Sequence, residues 1–203
     1  MKNNFYLLLT LIALSSTACS DDSLQKEAVE KKPLLIKKDT PEAKKTSISE
    51  YSFEFKNLHD KISTITMKND IYTFSNVEQP IVMVSLFATW CPPCRGQIPH
   101  LANLQKKFKK HFFIIGALVH DDIQKNEFIK FMIAEKALFF ISTNKKENLR
   151  FAEMITPKLG LKKDFPMPLM ILFYKGKYFT HYEGSMPEEM IQSDIEQLLK
   201  KIK

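Results

Sequence analysis

The spacing of apolar and polar positions changes several times along this chain, and each change marks an element. Tyr51 to Lys56 alternates apolar and polar side chains, the period-two pattern of a half-buried strand. Ile62 to Thr66 and Ile71 to Phe74 read as two more short strands, with Lys68-Asn69-Asp70 as the turn between them. Ile81 to Phe87 is apolar apart from Ser85, as expected of a central strand covered on both faces. Ile98, Leu101, Leu104, Gln105 and Phe108 then recur at helical spacing, with lysines between them. Pro99 lies inside this predicted helix, where it removes a backbone hydrogen bond and predicts a kink.

Phe112 to Val119 predicts a second buried strand. Asp121-Asp122 then offers an N-cap to a helix with an apolar face of Phe128, Ile129, Met132 and Ile133. His120-Asp121-Asp122 at a strand end also has a catalytic look, but the cap is the simpler reading. Leu138 to Ile141 predicts a short strand, and Glu147 to Ile155 a helix ending near Pro157. Leu169 to Tyr174 and Tyr178 to His181 make a hairpin around Lys175-Gly176-Lys177, and Pro187 opens a last helix through Leu199. Helices between apolar strands imply a central sheet with helices on both faces.

The first 49 residues follow a different pattern. Lys2 precedes an apolar run from Phe5 to Leu14. At about ten residues it is too short to span a membrane, which takes roughly twenty, and it fits a secretory signal. Ser15-Ser16-Thr17-Ala18 leads into Cys19. This resembles a bacterial lipoprotein cleavage site, in which Cys19 would be lipidated, although Ser16 stands where such sites usually carry leucine. Cleavage after Ala18 without lipid, or an uncleaved anchor, are the alternatives. Residues 1–18 are therefore expected to be a signal peptide. Residues 19–49 are charged, contain Pro33 and Pro41 and lack aromatics, and so read as a flexible tether. Within them only Leu34-Leu35-Ile36 forms an apolar patch. Residues 50–203 are left as the folded domain, placed outside the cytoplasm and held at the membrane.

Composition narrows the function. Of the 203 residues 44% are hydrophobic and 26% charged, which allows a real core. The net charge of +7 comes from dispersed lysines. No basic stripe is interleaved with aromatics, so nucleic acid is not an expected partner. Three cysteines are too few for a disulfide-stapled scaffold. One of them is Cys19, and the other two form a local pair.

That pair, Cys91-Pro92-Pro93-Cys94, sits where the buried strand turns into the helix, and a C-x-x-C there is a redox device. Cys91 at the helix N-terminus faces unpaired N–H groups and the positive end of the macrodipole, which favour a thiolate. Cys94 lies one turn deeper. Cys91 is thus the expected nucleophile and Cys94 the resolving thiol. Pro92 and Pro93 stiffen the first turn. Trp90, the single tryptophan, either shields the pair or packs in the core. Zinc needs about four ligands, and none of His59, His100, His111, His120 and His181 forms a close pair with another.

Four features in order carry a family resemblance: Trp90-Cys91-Pro92-Pro93-Cys94-Arg95, Pro99 eight residues after Cys91, Met167-Pro168 followed by Leu169 to Gly176, and Gly184 eight residues later. Over residues 50 to 203 the chain resembles the thioredoxin-fold thiol–disulfide oxidoreductases of the TlpA/ResA type. The resemblance implies an α/β thioredoxin-like fold: a central mixed sheet with helices on both faces, an N-terminal β extension and an inserted strand–helix unit. It implies a cis bond before Pro168, with Pro166 an ordinary loop proline. The Met167 backbone would then lie beside the cysteines, able to pair with an extended substrate and to keep metal out. It implies no cofactor beyond the Cys91–Cys94 disulfide. Two positions depart from the family: Ser85 stands where thioredoxin has a buried aspartate, and Gln97 where many relatives have a glutamate.

The expected function is a membrane-tethered reductant of disulfides in exported proteins, fed by a membrane thiol carrier. The C-x-x-C-H thiols of apocytochromes c, before haem attachment, are the most specific substrate expectation. A general envelope reductase or isomerase comes next, and an oxidase third. The non-enzyme alternative is copper transfer, with Met167 and Met170 as soft ligands.

Overall fold

The computed structural model describes residues 50–202. The signal read over 1–18, the lipidation expected at Cys19 and the tether read over 19–49 lie outside the described residues. β1 (Glu50–Lys56), β2 (Ile62–Lys68) and β3 (Ile71–Phe74) pair antiparallel as an N-terminal extension. Asn69 and Asp70 turn between β2 and β3 at positive φ, 53° and 58°, a region that Asn and Asp enter at least cost among residues with a Cβ. β4 (Ile81–Phe87) is the centre. It runs parallel to β5 (Phe112–Leu118) on one side and antiparallel to β7 (Leu169–Tyr174) on the other. β6 (Phe140–Ser142) adds to β5, and β8 (Lys177–Glu183) forms a hairpin with β7 and joins β3. The result is one mixed eight-stranded sheet in the order β1-β2-β3-β8-β7-β4-β5-β6.

Period-two side-chain alternation along β4 builds two cores. Ile81, Met83 and Phe87 face a layer made by α1 (Pro92–Lys107), α2 (Lys125–Ala134) and α4 (Glu188–Lys200). Val82, Val84 and Leu86 face α3 (Lys145–Lys158) and the inward Phe53 and Phe55 of β1. All seven residues of β4 are buried, which explains a run that is apolar apart from Ser85. Cutting one of its large side chains to alanine would cost about 2–5 kcal/mol.

Four sequence expectations need correction. The N-cap of α2 is Gln124, with no side-chain cap bond, and Asp121 is not at the helix at all. The buried residues of α2 are Phe128 and Phe131, while Ile129 and Ile133 turn outward. Phe131 joins Phe128 in the core on the α1 side of the sheet, while Arg95 of α1 lies over the Phe131 ring at 5.9 Å and pairs with Glu135 just beyond the helix end. β6 begins at Phe140, leaving Leu138 in solvent. α3 runs through Pro157 to Lys158 instead of ending before it. Pro99 lies inside α1, as the sequence places it.

Among the described residues, no helix is long and apolar enough to cross a membrane.

Candidate active site

β4 delivers its C-terminal end to a tight turn, where the Cys91 N–H donates to the Ala88 carbonyl at 3.3 Å. Cys91 is the N-cap of α1, and its sulfur accepts the Cys94 backbone N–H at 3.3 Å. Pro92 and Pro93 occupy the first helical positions, where a missing N–H leaves nothing unpaired. The first turn of α1 carries no acidic residue. The helix N-terminus therefore acts on Cys91 without a nearby carboxylate on the same turn to oppose it. Cys91 and Cys94 are joined as a disulfide, with 4% and 1% of their surfaces exposed.

The opposite wall is the segment before β7. The Met167–Pro168 peptide bond is cis, and the Met167 carbonyl oxygen lies 3.8 Å from Cys91 Sγ. The Gly184 N–H, at a φ of 75° that suits glycine, donates to the Pro168 carbonyl at 2.9 Å. Seventy-seven sequence positions after Cys91, Pro168 thus stands at the pair. Met170, by contrast, is fully buried in the core, and Met167 meets Cys91 through its carbonyl oxygen while its side chain packs partly buried against both cores.

Trp90 is not a core residue. It is 59% exposed, and its indole N–H donates to the His120 carbonyl at 2.8 Å. Beside that carbonyl is Asp121, which the sequence singles out as a helix cap and which holds a different partner. Asp121 is buried, and its carboxylate accepts the Thr89 N–H at 2.5 Å and the Ile123 N–H at 3.0 Å. A carboxylate from the loop after β5 thus grips the backbone two residues before Cys91. One signal could have found it. The apolar period of α2 starts at Phe128, seven residues beyond Asp121, too far for a cap to reach.

The two departures from the family pattern are both buried. Ser85 faces Gly116 and Met170 in the neighbouring strands. Gln97 is 0% exposed, and its Oε1 accepts the Met186 N–H at 2.7 Å and the Ser185 hydroxyl at 3.1 Å. Its Nε2 has no partner among the described residues. Gln97 therefore fastens α1 to the loop between β8 and α4.

The sequence model of the AhpC/TSA family matches residues 61–152. Thioredoxin 2 of Plasmodium berghei (strain Anka) is 28% identical over 88 residues, 42% of this chain and 56% of that protein. The chain thus spans about half the length of this curated relative. A thiol:disulfide interchange protein of the thioredoxin family from Chlorobium tepidum is similar in structure. It has a TM-score of 0.56 and 21% identity, covering 73% of this chain and 93% of that one. A thiol:disulfide interchange protein from a Bacteroides species gives 0.51 and 16%, covering 74% and 89%. The exposed lipoprotein thioredoxin of Streptococcus pneumoniae gives 0.50 and 15%, covering 72% and 99%. The chain therefore has a thioredoxin-like fold, with Cys91 and Cys94 at the start of the helix that leaves its central strand.

Proposed function

We propose that this chain is a thiol–disulfide oxidoreductase that reduces disulfides in exported proteins while tethered to a membrane outside the cytoplasm. One observation carries the reading: Cys91 caps α1 as half of a disulfide, 3.8 Å from the backbone oxygen that precedes cis-Pro168. The names of the structural relatives, two thiol:disulfide interchange proteins and a lipoprotein thioredoxin, support it. In the reduced protein the Cys91 thiolate attacks a substrate disulfide. A Cys91–substrate bond forms, the substrate bond breaks, and the departing sulfur takes a proton. Cys94, deprotonated, attacks Cys91 Sγ and releases the second substrate thiol. Two electrons pass from the protein to the substrate, and a membrane thiol carrier restores the dithiol. The Cys19 lipid or the uncleaved signal supplies the anchor, and the setting is the periplasm or its equivalent.

The finer substrate expectation, the C-x-x-C-H pair of apocytochromes c, is tested by trapping. The Cys94→Ala protein should accumulate mixed disulfides through Cys91. Apocytochromes among the captured proteins support the finer reading, and a broad set of exported proteins supports a general reductase. If no mixed disulfide forms, the exchange function is refuted. Direction has a separate readout. A reduction potential near thioredoxin's value of about −270 mV marks a reductant, and one near about −120 mV an oxidant.

A further inference from the structure

A cavity of about 770 Å³ lies between α3 and the segment leading to Pro168. Leu149, Ala152 and Leu161 form its apolar side. His120 and Phe165, with ring centroids 6.4 Å apart, also line it. Each belongs to a wall of the redox site. The His120 carbonyl holds the Trp90 indole, and Phe165 stands two residues before Met167, which touches Cys91. From Lys162 to Met167, no backbone N–H or carbonyl is hydrogen-bonded to another described residue, the Met167 contact with Cys91 aside.

A polypeptide laid along 165–167 therefore meets free backbone groups, the requirement for adding a strand. In an extended chain, side chains two positions apart point the same way, about 7 Å from each other. A substrate cysteine opposite Met167 thus places the residue two positions away opposite Phe165. We propose that this cavity is a side-chain subsite for disulfide-bearing polypeptides. It selects substrates with an aromatic or large aliphatic residue two positions from the cysteine under attack. The proposal rests on the exchange reading above. Glu153, Lys162, Lys163 and Asp164 also line the cavity, two acids and two bases. The selection is therefore by apolar bulk and not by the sign of charge.

The test uses the full chain, reduced, with exchange followed by Trp90 fluorescence. Two symmetrical peptide disulfides serve as probes, identical except for Phe or Ser at both positions two residues from the cysteine. Bis(2-hydroxyethyl) disulfide, which has no side chain to seat, is the reference. Burying the phenyl ring should make the Phe peptide react about tenfold faster than the Ser peptide. Phe165→Ala and Leu149→Glu should each bring that ratio close to one. Both rates are divided by the same variant's rate with the reference, so a general loss of reactivity cancels. The second variant leaves the 162–167 segment untouched. A ratio near one in the unaltered protein, or a tenfold ratio surviving both substitutions, overturns the subsite alone. No reaction with the reference disulfide refutes the exchange reading, and the subsite with it.

Discussion

The two walls that meet at Cys91 are built in opposite ways. The wall carrying the thiols is fastened from three directions. Asp121 holds the Thr89 N–H, the His120 carbonyl holds the Trp90 indole, and Gln97 holds Met186 and Ser185. The facing wall, Lys162 to Met167, makes no backbone hydrogen bond to another described residue apart from the Met167 contact with Cys91, and the next residue, Pro168, is tied to Gly184. The difference follows from what each wall must do. A nucleophile works from a fixed position, and ordering it in advance removes that cost from the reaction. A surface that takes up a substrate strand must keep its own backbone groups unspent.

Substitutions break this contrast in a graded order. Cys91→Ser leaves both walls standing and removes the attacking thiolate, so disulfide exchange should fall by about four orders of magnitude or more in stopped-flow assays. Asp121→Ala strands two backbone donors, the buried Thr89 N–H and the part-buried Ile123 N–H. A loss of about 3 kcal/mol follows, seen as a thermal midpoint lower by roughly 6–12 °C. Asp121→Asn, with one amide oxygen left to accept, should recover about half of it. A midpoint within about 2 °C of the unaltered protein in Asp121→Ala would show that the thiol wall does not depend on this carboxylate. Gln97→Ala leaves the Met186 N–H and the Ser185 hydroxyl without their acceptor, for about 2 kcal/mol by chemical denaturation. Trp90→Phe deletes a single exposed bond to His120, and about 1 kcal/mol or less is expected.

The last effect is alkaline, and it lies away from both walls. Tyr72 is held up to about 12, by burial first and by Asp70 second. Tyr182 is also raised, by burial first and then by its bond to Asp194. A phenol whose folded pKa exceeds its unfolded one stabilises the fold fully below the unfolded pKa, near 10, and loses that contribution as pH rises through the folded value. Stability should therefore decline between about pH 10 and 12. Tyr72→Phe, measured by denaturant titration at both ends of that window, should flatten the decline. It should leave exchange at pH 8 unchanged, because Tyr72 packs on Phe173 and not on the redox pair.

How far the site could be read from sequence depended on distance along the chain. Cys91, Pro92, Pro93 and Cys94 are contiguous, and the apolar run before them announces a strand aimed at a helix. Pro168 was reached only through resemblance. Asp121, a short polar residue after a strand, invited the local reading of a cap, because side-chain capping is what such residues do when nothing distant claims them. Here a backbone N–H 32 residues away claims it. The period of α2 puts Ile129 and Ile133 on a core-facing stripe, yet in the fold Phe131 packs into the core with Phe128, and Ile129 and Ile133 face solvent.

The sequence by itself determined the strands, the helices and the chemistry of the thiol pair. Hydrophobic period and cysteine spacing are local properties, and burial of β4 between two layers leaves little freedom in how they are met. Only the tertiary structure decided which groups hold Thr89, Trp90 and Gln97, that the Met167 oxygen stands beside Cys91, and that a cavity opens by Phe165. Those are pairings between segments about 30 to 90 positions apart. They are set by how the sheet brings strand ends and loops together, and no periodicity within one segment encodes its partner in another.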